Sequence, residues 1–395
     1  MTELVTTASP EAPTGTRRLL GPAPGSPVPH LSTAELVALA EATGLTGRGG
    51  AGFPTARKIA GITGRGPVVV GNAMEGEPLS SKDAVLLQHA PGLVIDGLSL
   101  VAAALGAERV VLATGPEVPS ALAAEAARGT RVEVLDLRGG FVAGQESALV
   151  SQVDGGPAIP RDPLVPVYRR GVAGRPTLVL NAETLAHLAL AARHGAGWFR
   201  EQGTAADPGT FLSTVTGSGP SVLTRPGVLE VGRGTPLSAV LDAAGVRRDR
   251  VRAVLVGGYH GAWVPGDALD VRLTREDLAR FGATPGAGVV HVLDRDTCPL
   301  ARSADVAAYL AGQSARQCGP CVNGLPRMAE TLRRLAVPGA RRDLVPEVER
   351  VAALASGRGA CAHPDGTVRF VASTLRTFAD HVEQHHRGDC DARPR

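Results

Sequence analysis

Short apolar runs alternate with stretches of helical spacing between residues 67 and 194. Runs bounded by turn residues predict buried strands, at 67–72, 109–113, 131–137 and 177–180. Ala- and Leu-rich stretches between and after them predict helices, at 93–105, 119–128 and 182–194. Strands that alternate with helices form a parallel sheet covered by helices. The pattern therefore predicts an α/β fold for this part of the chain.

The sequence pattern changes outside this region. A chain of 395 residues is also longer than one hydrophobic core ordinarily accommodates, so we expect several domains. Ser32 or Thr33 is the expected cap of a first helix. Pro, Thr, Gly and Ala dominate the start of the chain, whereas its last residues are polar. We predict a flexible arm over 1–30, the α/β domain over 31–204, a small α+β module over 205–290, a helical bundle over 291–387 and a tail over 388–395.

Within the α+β module the pattern predicts strands at 211–216, 227–231 and 251–256 and a helix at 237–244. Within the bundle it predicts amphipathic helices at 302–313, 325–336, 344–355 and 370–386.

Composition excludes several classes of protein. The sequence has no run of eighteen apolar residues, so we expect no membrane span. Its start lacks a compact apolar signal region, and a net charge of +3 without a basic stripe argues against nucleic acid as a partner. We expect a cytoplasmic protein, either free or peripheral to a membrane complex.

Only two of the 41 basic residues are lysines, Lys58 and Lys82, and both lie in one short region. An ammonium is a compact point charge that a guanidinium cannot copy at a tight site. Retained lysines therefore indicate a site that contacts a phosphate or a ring nitrogen. The alternative is chance clustering on a solvated face.

The segment 47–58 carries glycines at four of its first six positions and then offers Thr55 and Lys58. Glycine lets backbone N–H groups converge on an anion and lets a ligand approach closely. The loop is no Walker loop, and it follows a helix instead of the first strand of a dinucleotide fold. It predicts a phosphate cradle, although glycine-rich loops are often only turns or linkers.

All five cysteines lie in the last hundred residues, which favours metal binding over disulfides in a cytosolic chain. Cys318 and Cys321 form a C-x-x-C pair, and Cys361 follows forty residues later. With His363 these three could also bind zinc, or they could simply be buried thiols. Cys390 is set aside as part of the tail, and a solvated face is expected for three nearby histidines, His381, His385 and His386.

Several segments in order resemble one family. Together with the glycine loop, they are residues 70–78, 140–149, 174–184 and 214–231. They resemble the FMN-binding flavoprotein subunit of respiratory complex I and related subunits of NAD-linked hydrogenases and formate dehydrogenases. The resemblance covers roughly residues 40–385, and several ordered motifs are more specific than any one. It implies a Rossmann-like FMN domain, a β-grasp module that binds soluble ligands, and a helical iron–sulfur domain.

The resemblance also assigns roles to residues. The FMN phosphate and ribityl chain would be held by the glycine segment, namely Gly47, Arg48, Gly49, Gly50, Gly52, Thr55 and Lys58. The flavin would be bound by Asn72, Asn181 and Thr184, with Gly144 beside it. The nicotinamide nucleotide would face Glu75, Glu77 and Glu146, of which Glu77 and Glu146 are the catalytic candidates.

In this family three cysteines at C-x-x-C-x-x-C spacing and a distant fourth hold a 4Fe–4S cluster. Ala315 stands at the first of these positions, and Cys318, Cys321 and Cys361 match the others. Cys298 is the nearest candidate for the missing ligand. A non-cysteine ligand, an open iron and a degraded cluster are the alternatives.

The resemblance implies that NADH reduces FMN and that electrons leave through the cluster to a partner protein, either ferredoxin-like or another redox subunit. Met74 and Gln145 replace acidic residues of the family, and Val165 replaces an aromatic one. These departures leave two alternatives open. One is a scaffold that keeps the fold without catalysis, and the other is a flavoprotein that takes electrons from ferredoxin instead of NADH.

Overall fold

The computed structural model describes residues 17–21, 26–161, 164–219 and 222–392. The chain divides into two compact units. Unit 1 comprises Met1–Thr214, Gly227–Thr235 and Gly286–Gly288, and unit 2 comprises Val215–Pro226, Pro236–Pro285 and Val289–Arg395. The domain boundaries drawn from the sequence stay predictions.

A four-stranded parallel sheet forms the centre of unit 1, in the order β3-β2-β1-β4. Its strands are β1 (Val68–Ala73), β2 (Arg109–Thr114), β3 (Val132–Asp136) and β4 (Thr177–Asn181). The helices of this part are α1 (Thr33–Thr43), α2 (Thr55–Ala60), α3 (Lys82–His89), α4 (Pro91–Leu105), α5 (Ser120–Ala126), α6 (Glu146–Val153) and α7 (Ala182–Arg200). The predicted α/β fold with a parallel sheet is confirmed.

The strand order places a topological switch between β1 and β4, because the chain leaves β1 toward β2 on one side and later returns to its other side as β4. Asn72 pairs in register with Asn181, so the carboxyl ends of the two strands lie side by side. Ligands of open α/β sheets bind in the crevice at such a switch. The fold thus selects one edge of the sheet as the place for a site.

Strands β1, β2 and β4 are buried on both faces of this sheet, which explains their apolar runs, whereas the edge strand β3 is only partly buried. Val69 packs with α4 and α7 on one face, whereas Val68 and Val70 pack with α6 on the other. Gly97 of α4 lies so close to α7 that a Cβ there would come within 2.0 Å of the Leu185 carbonyl oxygen. This glycine therefore permits the close approach of the two helices.

The segment before α1 corrects one prediction. Residues 1–16 and 22–25 of the expected flexible arm lie outside the described residues, but Leu19 is buried in the core of unit 1. The backbone N–H groups of Arg18, Leu19 and Leu20 all donate to one Glu230 carboxylate oxygen, at 2.9–3.1 Å. The Arg18 guanidinium also lies 3.9 Å from the centre of the Trp198 ring. A flexible arm was expected because this segment has no apolar periodicity. Hydrogen bonds from its backbone N–H groups and the burial of a single leucine hold it in place without such a pattern.

A second sheet has five strands in the order β6-β5-β9-β7-β8. Strand β7 is antiparallel to both β8 and β9. The elements of this region are β5 (Thr210–Gly217), β6 (Gly227–Gly232), α8 (Leu237–Ala243), β7 (Val251–Val256), β8 (Ala262–Pro265), α9 (Arg275–Ala279) and β9 (Val289–Asp294). The mixture of strands and helices was predicted, whereas its assignment as a β-grasp module stays a prediction.

Helices dominate the remainder of the chain, as predicted. They are α10 (Pro299–Gly312), α11 (Leu325–Leu335), α12 (Leu344–Ala355), α13 (His363–Thr377) and α14 (Ala379–His386), with a π-helical turn at Pro320–Gly324. The single helix predicted at 370–386 is wrong, because the chain breaks at Phe378, which packs edge-on against Trp263. The tail prediction is also corrected, since Asp391 pairs with Arg252 at 3.0 Å. Residues 393–395 lie outside the described part.

Among the described helices, none is long and apolar enough to cross a membrane by itself. Lys82–His89 and Pro91–Leu105 reach that length and apolarity only as a pair, and they meet at 96°.

Removing the Leu19 side chain tests the packed segment. We expect Leu19→Ala to cost about 2–5 kcal/mol of unfolding free energy, because it leaves a cavity in a closed core. The measurement is the thermal melting temperature of the full chain. Leu20→Ala is the matched control and should cost less, since Leu20 is only half-buried. Equal melting temperatures for Leu19→Ala and the wild type would show that the segment does not pack in solution.

Candidate functional site

The carboxyl ends of β1 and β4 are joined by two asparagines. The Asn181 Nδ2 atom donates to the Asn72 carbonyl oxygen at 3.2 Å and to the Asp83 carboxylate at 2.9 Å. The Asn72 Nδ2 atom donates to the Gly144 carbonyl oxygen at 2.9 Å. These bonds bring together three segments that are distant in sequence: the chain after β1, the chain before α6 and the start of α7.

The glycine loop belongs to the same site. It closes on itself, since the Gly47 N–H donates to the Phe53 carbonyl oxygen at 2.9 Å. The Arg48 N–H donates to the Thr184 hydroxyl oxygen at 2.9 Å, which fastens the loop to the first turn of α7. Gly50 and Gly52 adopt φ angles of +104° and +61°, in the region that glycine tolerates best. The structure thus brings the glycine loop together with three residues predicted to bind the flavin, Asn72, Asn181 and Thr184.

Unused donors on this loop provide a test of whether a phosphate-bearing cofactor fits. In the described part of the chain, the N–H groups of Gly49 and Gly50 have no hydrogen-bond partner, and Gly49 is exposed. The Thr55 hydroxyl and the Arg48 Nε atom are buried and also have no partner among the described residues. Free backbone and side-chain donors in a glycine loop are the chemistry that binds a phosphate. The residues fit an FMN phosphate.

Arg48 carries a charge beneath the loop. Its side chain is buried, and its two terminal nitrogens donate to the Thr46 hydroxyl at 3.2 Å and the Pro208 carbonyl oxygen at 3.3 Å. Burial lowers the pKa of Arg48 to about 9, and the nearby Arg233 cation adds to this effect. An anionic ligand at the loop would relieve this cost of burying a cation.

Lys82 lies at the centre of a buried ionic network. Its ammonium is within 2.7 Å of the Asp83 carboxylate, 3.1 Å of the Glu183 carboxylate and 3.2 Å of the Asn181 Oδ1 atom. All three charged side chains are at most 5% exposed. Burial opposes the charge, but Asp83 and Glu183 outweigh it and hold the pKa of Lys82 above its ordinary value. The network links the start of α3 to the start of α7.

Glu75 closes the loop that follows β1. One carboxylate oxygen accepts from the Ser80 hydroxyl at 2.6 Å and from the Asp83 N–H at 3.1 Å, and the other accepts from the Ala84 N–H at 3.0 Å. Burial raises the pKa of Glu75 to about 7, and the Asp83 carboxylate adds to the rise. Glu75 was predicted to face a nucleotide, but the structure uses both of its oxygens to hold the start of α3.

The second acidic segment meets the glycine loop through an ion pair. The Lys58 ammonium lies 2.7 Å from the Glu146 carboxylate, and both side chains are partly exposed. Gln145, where the family carries an acidic residue, accepts from the N–H groups of Ser147 and Ala148 at 2.9 Å and so caps α6. Its amide therefore performs a structural task that needs no negative charge.

The other catalytic candidate, Glu77, lies in the segment that follows β1. Glu77 is partly buried, and its carboxylate accepts from the Leu79 N–H at 3.4 Å. Gly144 lies so close to Met74 that a Cβ at this glycine would come within 2.9 Å of the Met74 carbonyl oxygen. Met74 is buried and its side chain is uncharged, so this position offers no acidic group to a ligand.

Three cysteines of unit 2 come together near the π-helical turn. The sulfur atoms of Cys318 and Cys321 are 3.5 Å apart, and electrostatic interactions link both thiols to Cys361. Burial raises the pKa of Cys321 to about 12, and Cys318 adds to the rise. Burial opposes ionisation of Cys318 too, but N–H groups of Ala360 and Cys321 bring its pKa below the ordinary value. Thiols are the ligands that iron–sulfur clusters use, so these three residues offer the donor chemistry of such a group.

The fourth ligand expected from the sequence is corrected. The Cys298 sulfur faces the Nε2 atoms of His381 and His385, at 3.6 and 3.7 Å, and these residues with Cys390 form a separate group. The solvated face predicted for His381 and His385 is also wrong, because both are buried. The zinc alternative at His363 has no support, since its ring nitrogens are bonded to His260 and to the Leu310 carbonyl oxygen.

A glycine loop with free donors, placed at the switch point of a parallel sheet, defines the class of α/β proteins that bind a nucleotide cofactor. Residues 40–190 match the family profile of the Nuo51 FMN-binding domain, and residues 301–385 match the NADH-ubiquinone oxidoreductase-F iron–sulfur binding region. The chain belongs to this family of oxidoreductase flavoprotein subunits. Its FMN-binding domain and iron–sulfur region confirm the resemblance seen in the sequence, whereas the individual ligand residues stay predictions.

Named relatives agree with this assignment. One subunit of an NADH-quinone oxidoreductase of Rhizobium meliloti is 29% identical over 380 residues, covering 89% of each chain. The NADP-reducing hydrogenase subunit HndC of Solidesulfovibrio fructosivorans is 30% identical over 383 residues, covering 90% of this chain and 76% of the relative. The crystal structure of the NAD+-reducing NiFe-hydrogenase in its H2-reduced state matches with a TM-score of 0.81 at 29% identity. That match covers 92% of this chain and 64% of the hydrogenase chain.

Some residues of the site were missed in the sequence. The sequence gives Asp83 and Glu183 no evident role, since nothing in their spacing shows that they share one lysine. The retained Lys82 was the available signal. His381 and His385 stand four residues apart on α14, a helical spacing that suggests shared ligation but that is also common on solvated faces.

The raised pKa of Glu75 predicts a pH dependence of stability. Because the pKa in the folded state, about 7, lies above that of an exposed glutamate, folding favours the protonated form. The stability from Glu75 is complete below about pH 4.3 and is lost as the pH rises through about 7. We expect the melting temperature of the wild type, relative to Glu75→Gln, to fall between about pH 5 and about pH 7.5.

The control is Glu41→Gln, which removes an exposed carboxylate on α1. The pH trend of Glu75→Gln is compared with the trend of this variant, which loses a carboxylate without opening a buried site. A constant difference for Glu75→Gln would contradict the raised pKa of the buried Glu75.

Proposed function

We propose that this chain is an FMN-dependent electron-transfer subunit that takes a hydride from NADH and passes electrons to a partner protein through an iron–sulfur cluster. The observation that carries the proposal is the glycine loop with free N–H groups, fastened to Thr184 at the switch point of the sheet. Bound FMN would supply the exchange between two-electron hydride transfer and one-electron transfer. The protein's part is to hold the cofactor and to admit its partners.

The residues divide this work between them. The N–H groups of Gly49 and Gly50 and the hydroxyl of Thr55 would bind the phosphate, with the buried Arg48 supplying positive charge. Asn72 and Asn181, together with Gly47, Gly52, Thr184 and Gly144, would shape the floor on which the cofactor lies. Because the network around Lys82 fixes Asn181, the floor is rigid before the cofactor arrives, which lowers the entropic cost of binding.

Glu77, Glu146 and Lys58 would face the nicotinamide side. The Lys58–Glu146 pair is partly exposed and therefore free to rearrange when a charged nucleotide approaches. Met74 and Gln145 remove two negative charges from this side. We expect the loss of these charges to weaken repulsion of nucleotide phosphates and so to change the preference between NADH and its phosphorylated form.

Cys318, Cys321 and Cys361 would hold the iron–sulfur cluster, with one iron lacking a cysteine because Ala315 stands at the remaining position of the motif. The relatives are subunits of quinone oxidoreductases and of hydrogenases. By analogy the electron acceptor would be an iron–sulfur subunit or a ferredoxin-like protein. A complex of this kind would place the chain at the edge of a larger assembly.

Anaerobic reconstitution tests the proposal. The full chain is incubated with FMN, its affinity is measured by quenching of flavin fluorescence, and NADH is then added while the visible flavin absorption is followed. We expect one FMN per chain and bleaching of the flavin band by NADH. Gly49→Ala should weaken FMN binding about tenfold or more, because its methyl group would stand beside Asn181 in the floor on which the cofactor would lie.

Gly49→Ala is a clean variant, because its Cβ would lie at an ordinary 3.4 Å from the Asn181 Cβ atom and its φ angle is not positive. Gly92→Ala is the control, since a Cβ there meets nothing within 4 Å. Absence of FMN binding by the folded wild type would refute the proposal. Bleaching by reduced ferredoxin but not by NADH would support the alternative donor, and FMN binding without any reduction would support the scaffold.

A further inference from the structure

Four side chains at the end of unit 2 form a cluster that the proposed electron path does not use. The sulfur atoms of Cys298 and Cys390 and one ring nitrogen each of His381 and His385 all lie within 4.8 Å of one another. Both histidines are buried, and both cysteines are partly buried. Two thiols and two imidazoles facing one point are the donor set of a structural zinc site.

The distances match that geometry. The Cys298 sulfur lies 3.6 Å from His381 Nε2 and 3.7 Å from His385 Nε2, and the Cys390 sulfur lies 3.6 Å from His381 Nε2. A zinc ion with bonds of about 2.3 Å to sulfur and about 2.0–2.1 Å to nitrogen, at tetrahedral angles, separates those ligand atoms by about 3.6 Å. Three of the six donor separations therefore match a tetrahedral zinc site, and the remaining three are within 4.8 Å.

The far nitrogen of each ring has a partner that orients it. His385 Nδ1 lies 3.0 Å from the Leu335 carbonyl oxygen, and His381 Nδ1 lies 3.3 Å from the Asp391 carboxylate. Asp391 is held in turn by the Arg252 guanidinium at 3.0 and 3.1 Å. Carbonyl or carboxylate partners at Nδ1 place the proton there and leave the Nε2 lone pair for a metal.

The sequence supplies these donors from three places. Cys298 caps α10, where the Ala301 N–H donates to its sulfur at 3.4 Å. His381 and His385 stand one turn apart on α14, and Cys390 follows that helix. A metal here would join the start of the helical segment to its end.

We propose that Cys298, His381, His385 and Cys390 bind one zinc ion, which fastens the chain end after α14 to the start of α10. The site is separate from Cys318, Cys321 and Cys361. All four ligand positions are filled by protein, so the metal is structural and has no open position for a substrate. Zinc is favoured over a 2Fe–2S cluster with two cysteines and two histidines, because such a cluster binds its cysteines and histidines on different irons, whereas here sulfur and nitrogen donors lie 3.6–3.7 Å apart, close enough to share one ion.

Metal analysis of the full chain tests the site. Protein produced with added zinc is analysed for zinc and iron by mass spectrometry, and its zinc ligands are read by X-ray absorption. We expect one zinc per chain with two sulfur and two nitrogen ligands. Cys298→Ser and His385→Gln should each lower the zinc content about tenfold or more after dialysis against a chelator.

Two further variants separate this site from its neighbours. His386→Gln changes the adjacent histidine, whose Nδ1 atom is 2.8 Å from the Ala340 carbonyl oxygen, and should keep the zinc. The triple variant Cys318→Ser, Cys321→Ser and Cys361→Ser should keep the zinc and lose the iron. Loss of zinc in the triple variant but not in Cys298→Ser would overturn the proposal, as would a Cys298–Cys390 disulfide in protein without zinc. If a variant fails to fold, three sulfur ligands around the wild-type zinc would overturn it equally.

Discussion

A single buried ammonium organises the site of unit 1. Lys82 lies between Asp83 and Glu183, and the same network includes Asn181 at the end of β4. Opposite charges attract strongly where water is excluded, but each charge loses its hydration there. The main effect of the network is therefore to fix the positions of its residues and not to add stability. It fixes the starts of α3 and α7 relative to each other, and the glycine loop is then attached to α7 through Thr184.

The fold and the network depend on one another. Parallel strands end at one edge of the sheet, and the order of β1 and β4 opens a crevice there. Polar side chains would be costly at this buried edge without partners, and Glu75, Asn72 and Asn181 each have them. Within the described residues of the glycine loop, Gly49, Gly50 and Thr55 have donors without partners, and a phosphate would satisfy them.

Much of this could be predicted from the sequence, for physical reasons that also explain the failures. Buried parallel strands such as β1 are continuously apolar, and the glycine motif is local, so both are visible in the chain. The cluster of Cys298, His381, His385 and Cys390 spans over ninety residues, and only folding brings its members together. Leu19 and Glu230 are a similar case, because a buried carboxylate that binds three N–H groups leaves no periodic pattern. The replacement of the family's acidic residues by Met74 and Gln145 is visible in the sequence. The capping of α6 by Gln145 becomes visible only in the folded structure.

The most direct test of the central claim is the FMN affinity and melting temperature of Lys82→Met, measured beside Lys58→Met. Removing the ammonium leaves the Asp83 and Glu183 carboxylates buried without a cation, which typically costs about 3–5 kcal/mol. We expect a lower melting temperature and weaker FMN binding for Lys82→Met, whereas Lys58→Met, at a partly exposed pair, should keep the melting temperature of the wild type. Wild-type stability together with wild-type FMN affinity in Lys82→Met would contradict it.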